Sequence, residues 1–152
     1  MMLTIDVSSD ESVTMAAETI ASSFETEAKP LYGIINNAGI GSSSIGLEPT
    51  LQVNTWGIHR VCEAFIPLLE TTGRIVNVTS AAGPNFVEAA DDVTRTMLTD
   101  PDVQWDAVEE YMNRCISESK DSASTTSGLG NAYGLSKALS LIHISEPTRL
   151  HC

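Results

Sequence analysis

The stretch Leu31-Tyr32-Gly33-Ile34-Ile35-Asn36-Asn37-Ala38-Gly39 decides how this chain folds. Residues 31–36 form a short apolar run. Lys29-Pro30 breaks any helix before it, and an Asn-Asn-Ala-Gly turn closes it, so a buried strand ending at Asn36 is predicted. Before this strand, Ser8, Ser9 and Asp10 supply helix-capping oxygens, and Val13, Ala16, Ala17, Ile20, Ala21 and Phe24 recur at helical spacing. Residues 2–6, apolar and ending in Asp6, read as the end of an earlier strand. After the turn, residues 39–49 are rich in Gly and Ser and read as a loop. Ile58, Val61, Cys62, Phe65, Ile66 and Leu69 then line one face of a long helix, which Pro67 kinks or loosens and Thr72-Gly73 ends. Residues 74–79 are a third strand, ending in Ser80.

Residues 83–131 are less regular and contain one good helix, with Asp100 as its cap and Pro101 as its first residue. Val108, Tyr111, Met112, Cys115 and Ile116 share its apolar face. Residues 117–130 are small and polar, and a mobile segment is expected. Residues 132–141 begin another helix. The order strand–helix–strand–helix–strand–helix predicts an α/β fold: a parallel sheet with right-handed crossovers and helices on both faces. In such sheets chemistry gathers beyond the carboxyl ends of the strands. Asp6, the Asn36–Gly39 turn and Ser80 all fall there.

Composition narrows the function classes. The 152 residues suffice for one domain, and 42% apolar with 18% charged residues fits a globular chain. Aromatics are few, so Ile, Val, Leu, Ala and Met must build the core. A net charge of -12 argues against nucleic acid and against anionic membrane surfaces. The acids fall on the outer faces of helices and read as a solubilising surface. Cys62, Cys115 and Cys152 form neither a disulfide framework nor a zinc pattern; Cys62 and Cys115 sit on apolar helix faces, where buried thiols are expected. No leader or membrane span is read, so the cytosol is the expected location. Asn77-Val78-Thr79 matches a glycosylation acceptor but lies in the third strand, and is set aside. His59 is placed on the exposed side of a helix; His143 and His151 lack partners at ligand spacing, so no metal site is expected.

The sharpest motif is Tyr133-Gly134-Leu135-Ser136-Lys137. Four residues apart on a helix, Tyr133 and Lys137 share a face. A phenol is a weak acid at neutral pH, and a neighbouring ammonium favours its anion, so the pair could exchange a proton with a substrate oxygen. A Ser80 hydroxyl could donate to that same oxygen and steady its developing charge.

Asn36-Asn37-Ala38-Gly39 ending one strand, Asn54 on the following helix, Ser80 ending the next strand, and Tyr133 with Lys137 occur in the order and spacing of the short-chain dehydrogenase/reductase family. The chain resembles that family over residues 3–140. By that resemblance Tyr133 is the acid–base catalyst, Lys137 assists it and binds the nicotinamide ribose, Ser80 polarises the substrate carbonyl, and Asn54 holds a water in a proton relay. Asp6 and Val7 would lie against the adenine, and Asn37, Ala38 and Gly39 would support the cofactor. The implied reaction is hydride transfer between a nicotinamide and a carbonyl or alcohol carbon of a small molecule. The long link from Ala81 to Ala132, together with Gly73-Arg74-Ile75-Val76-Asn77-Val78-Thr79-Ser80-Ala81-Ala82-Gly83, resembles the carbonyl reductases. That implies NADP(H) rather than NAD(H), and a monomer.

The family's Thr-Gly-x-x-x-Gly-x-Gly turn, which binds the pyrophosphate, has no counterpart here. The expected architecture is therefore a partial doubly wound, Rossmann-like sheet lacking the first two and last two strands of the family. Residues 1–141 would form this partial nucleotide-binding domain, and 142–152 read as a non-native tail. The alternative to an oxidoreductase is an inactive fragment or binding remnant of one. An epimerase using the same Tyr–Lys pair is disfavoured by the Asn-Asn-Ala-Gly turn.

Overall fold

A computed structural model describes residues 1–24, 28–41, 44–121 and 131–145. The first helix, α1 (Asp10–Ser23), starts where the caps predict: Ser9 Oγ accepts from Ser12 N at 3.2 Å, and Asp10 and Glu11 meet the positive end of the helix dipole. Strands β1 (Leu31–Asn36) and β2 (Leu69–Asn77) pair in parallel, with Gly33 opposite Arg74 and Asn36 opposite Asn77. The fold is α/β with a parallel sheet, as expected.

Residues 2–6, expected as a strand, pair with no strand among the described residues. Their polar groups are met locally instead. Asp6 N donates to Ser12 Oγ at 2.9 Å, and Asp6 O accepts from Ser9 N at 3.1 Å, which ties the segment to the start of α1.

The connection from β1 to β2 also departs from the sequence reading. The expected loop at 39–49 already contains α2 (Leu47–Leu51), which follows Gly46 at φ 84°, a left-handed conformation suited to glycine. Pro49 lies in the first turn of α2, where its missing N–H costs no bond. A π turn (Gln52–Trp56) and α3 (Gly57–Phe65) follow. Pro67 sits in a 3-10 turn (Ile66–Leu68), the loosening expected of it. The helix therefore ends well before Thr72-Gly73. Those residues lie inside β2, which bulges between Leu69 and Arg74; a Cβ on Gly73 would lie 2.5 Å from Leu69 Cγ.

The described part of residues 83–131 holds three helices rather than one: α4 (Ala82–Ala89), α5 (Asp92–Thr99) and α6 (Trp105–Asp121). The cap that sequence reading missed is Asp91, whose Oδ1 accepts from Thr94 N at 2.9 Å. Asp100 and Pro101 do not start α6. Asp100 Oδ1 accepts from Asp102 N at 2.8 Å and shapes the turn between α5 and α6. The apolar face of α6 is as expected, with Val108, Met112, Cys115 and Ile116 buried. Within the stretch 117–130, α6 runs to Asp121, and 122–130 lie outside the described residues. The last helix, α7 (Ala132–Ser145), is capped by Asn131, whose Oδ1 accepts from Gly134 N at 2.7 Å. Ile142 is buried in it, and 146–152 are likewise outside the described residues.

Two cores result. Val13, Ala16 and Ala17 of α1 pack with Ile34, Phe65 and Leu69 against one face of the sheet. Leu51, Trp56, Val108, Met112, Leu135 and Leu139 form the other around α7. On the opposite sheet face Ile35 is 71% exposed and Val76 50%. Among the described residues no helix is long and apolar enough to cross a membrane.

Candidate active site

The sheet's carboxyl ends meet the middle of α7. Lys137 is buried there, and its Nζ donates to Val78 O at 3.0 Å, just past the end of β2. Nζ lies 5.7 Å from the centre of the Tyr133 ring, so the two side chains are neighbours as their spacing requires. Two further contacts fix α7. Thr79 Oγ1 donates to Lys137 O at 3.4 Å. Gly83 brings α4 against the backbone of α7; a Cβ there would lie 2.8 Å from Lys137 O.

Ser80 stands between these two contacts. Its Oγ accepts from Ala82 N at 3.2 Å and its carbonyl from Gly83 N at 3.0 Å. The entry turn of α4 thus occupies a lone pair of the hydroxyl and leaves its proton to donate.

Asn54 is buried in the π turn. Its Oδ1 accepts from Ile40 N at 2.8 Å, and its Nδ2 donates to Ile40 O at 2.8 Å and to Ser136 Oγ at 2.9 Å. Ser136 Oγ in turn donates to Tyr133 O at 2.8 Å. One amide therefore clamps the turn after β1 to the helix carrying Tyr133 and Lys137. One lone pair of Oδ1 remains for a water.

That turn is tied at its root, where Asn36 Nδ2 donates to Asn77 Oδ1 at 2.7 Å across the strand ends. Asn37, Ala38 and Gly39 are exposed. A Cβ on Gly39 would sit 3.6 Å from Lys137 Nζ, and one on Gly41 would sit 2.6 Å from Tyr133 Cδ2. The turn's backbone thus runs directly beside both side chains, and glycine at 41 is what lets it lie on the Tyr133 ring.

Asp6 and Val7 lie further along the same edge. Val7 shares a small cleft with Asn36, Ala38, Gly57 and Ile58. Asp6 Oδ1 accepts from Ser8 Oγ at 2.6 Å and from Ser8 N at 2.9 Å. The Ser8 hydroxyl, the Ser8 amide and the more distant Arg60 guanidinium hold this exposed carboxyl below its ordinary pKa.

The structure thus sets residues 39–41 beside Lys137 and Tyr133 and joins them to α7 through Asn54 and Ser136, with Ser80 between Thr79 and Gly83, the two residues that meet the Lys137 carbonyl, and Asp6-Val7 at the far end. Sequence reasoning missed Ser136, Thr79 and Gly41. Ser136 lies within the Tyr133–Lys137 motif, and Gly41 follows the Asn-Asn-Ala-Gly turn by two residues, so both were visible as positions but not as contacts. His59 corrects an expectation: it stacks on Trp105 of α6, ring centres 3.8 Å apart and planes 7° from parallel. Burial lowers its pKa. Cys62 and Cys115 are buried as expected, and burial pushes the Cys62 thiol up to about 11.

The short chain dehydrogenase family model matches residues 1–90. The chain belongs to that family. Bovine mitochondrial D-beta-hydroxybutyrate dehydrogenase (Bos taurus) is 40% identical over 87 residues, 52% of this chain and 25% of the relative. Carbonyl reductase 1 (NADPH) of the same species is 27% identical over 126 residues, 78% of this chain and 44% of the relative. Salutaridine reductase from Papaver somniferum shares the fold, with a TM-score of 0.72 at 23% identity, covering 91% of this chain and 60% of that one. The chain thus spans less than half the length of the curated family members it matches.

Proposed function

We propose that this family member is the part of an NAD(P)H-dependent oxidoreductase that carries its proton-transfer residues, acting in the cytosol on a small carbonyl or alcohol. The observation that carries the reading is the seating of Lys137 Nζ between Val78 O, Gly39 and the Tyr133 ring.

In this reading a dinucleotide lies along one edge, which lacks the family's glycine-rich pyrophosphate turn. From Val7 past Ala38 to Gly39 that edge offers a small apolar wall and bare backbone, ending at the Lys137 ammonium. Asp6 and Val7 would hold the adenine end, Asn37, Ala38 and Gly39 the middle, and Lys137 the nicotinamide ribose. A nicotinamide bound there would supply the hydride. Tyr133 passes a proton to the substrate oxygen as it gains charge, or takes one in the reverse direction. Ser80 donates its hydroxyl proton to that oxygen. Asn54 keeps the turn and α7 in register and offers its last lone pair to a water behind Lys137. The preference for NADP(H) rests on the similarity to carbonyl reductase, whose match spans most of this chain.

The test is oxidation of NADPH by the full chain with an aromatic ketone or aldehyde. Tyr133→Phe removes only a hydroxyl and should abolish turnover without changing the circular dichroism spectrum; Lys137→Ala should weaken both turnover and NADPH affinity. Unchanged turnover in the Phe variant would remove Tyr133 from its role. No turnover by the unaltered chain that nonetheless binds NADPH would favour a binding remnant.

A further inference from the structure

The reading above gives the adenine end to Asp6 and Val7, yet these two residues belong to no strand of the described fold. Something other than sheet pairing must hold them. Helix α3 does so with two residues one turn apart, which therefore share a face. Gly57 meets Val7 directly: a Cβ at Gly57 would lie 2.9 Å from Val7 Cγ2 and 3.3 Å from Val7 O. Any larger residue would push the turn off the helix. Arg60 closes over the other side. Its Nε donates to Asp10 Oδ1 at 2.7 Å, and Nη1 reaches Val7 O at 3.5 Å. The guanidinium is itself anchored, with Nη2 donating to Gln52 Oε1 at 2.9 Å and Nη1 to Gln52 O at 3.2 Å. The Arg60 side chain is 15% exposed while that of Asp10 is 83% exposed. A half-buried fork with four protein acceptors is a geometric brace rather than a loose surface pair.

We infer that Arg60 is a positioning residue for the adenine end of the site: braced on Gln52, it holds the 6–8 turn and the start of α1 on the Gly57 face of α3, so that Asp6 and Val7 stay aligned with Ala38. Arg60 does not touch the dinucleotide. It sets how often the seat is formed. If loss of the brace leaves the turn seated about a tenth of the time, affinity for the adenine half falls about tenfold, and affinity for the nicotinamide half does not change.

Two readouts on the full chain test this. One is independent of any ligand: amide hydrogen exchange at Ser8 and Ser9, whose N–H groups bond within the turn. The other is the affinity for ADP set against that for nicotinamide mononucleotide. Arg60→Gln should speed exchange at both amides and weaken ADP about tenfold while leaving the mononucleotide unchanged. Asp10→Asn, which removes only the charge of the exposed partner, should do the same to a lesser degree, and Arg60→Lys should recover part of the loss. Unchanged exchange and unchanged ADP affinity in Arg60→Gln overturn the inference. An equal loss of both ligands also overturns it, because the effect would then be general. If exchange quickens but the unaltered chain binds neither ligand, the brace stands as structure, while the dinucleotide reading, and with it the brace's role in binding, falls.

Discussion

The two halves of this molecule are finished to different degrees. Around α7, residues from α2, α4, α5 and α6 close on every side, and Leu51, Met112, Leu135 and Leu139 are fully buried. Around the strands, α1 and α3 cover one face of the sheet, and the other presents Ile35 and Val76 to solvent. The candidate site lies on the seam. Its chemistry-bearing side chains, Tyr133 and Lys137, stand on the closed half, and the turn at 37–39 reaches them from the open half. Asn54 joins the two. Precise placement of reacting groups needs a rigid mount, and the closed half provides it.

The largest effect should come from the closed half. Leu139→Ala removes a fully buried side chain and should cost about 2–5 kcal/mol in a urea titration followed by circular dichroism. A loss below 1 kcal/mol would mean that this core is looser than it looks. At the seam, Asn54→Leu leaves the backbone of Ile40 without its partner and the Ser136 hydroxyl without its donor, and about 1–3 kcal/mol should go with it. If the variant matches the parent in stability, the clamp contributes nothing and the halves are joined elsewhere.

The α3–α6 contact should show itself through pH. Burial lowers His59 below its ordinary 6.5 in the folded chain, while the unfolded chain keeps that value. The unfolded state therefore takes up the proton first. The contribution is complete above pH 6.5 and is lost as pH falls through the folded value. Asp6 and Asp91 are also shifted down, but they act only as pH approaches and passes below 3.8. Melting temperatures taken between about pH 8 and about pH 5 should fall toward acid, and His59→Gln should flatten the slope; an unaltered slope would assign it to other groups. The smallest effect belongs to the open face, where Val76→Ser should stay within about 0.5 kcal/mol of the parent. A loss as large as that of Leu139→Ala would show this face to be covered in solution.

Legibility in the sequence follows the same division. The apolar face of α6, the helix bearing Tyr133 and Lys137, and β1 with its Asn-Asn-Ala-Gly turn were readable, because periodicity and turn chemistry are local signals. Residues 2–6 were misread because an apolar run states a preference, whereas a strand needs a neighbour to bond with; here the cap of α1 took those polar groups. The start of β2 was misplaced because Leu69 continues the helical stripe by spacing, and only its pairing with Leu31 shows that the chain has already extended. Helices α4 and α5 lack long stripes and owe their ends to Asp91 and to packing on α7. In the site, residue types were legible but joints were not. Ser136 accepts from Asn54, and Arg60 bonds Gln52 and Asp10; these partners are at least eight positions away, and no spacing rule exposes such bonds.

The central claim is that the edge from Asp6 to Lys137 binds a nicotinamide dinucleotide. Thermal melting of the full chain with and without saturating NADPH tests it most directly. A ligand that binds only the folded state stabilises it by about 2.7 kcal/mol at a hundred times its Kd. The account predicts a single cooperative transition that moves up with NADPH and moves less in Lys137→Ala. A cooperative transition that NADPH leaves in place, at concentrations that shift a known family member, would contradict it.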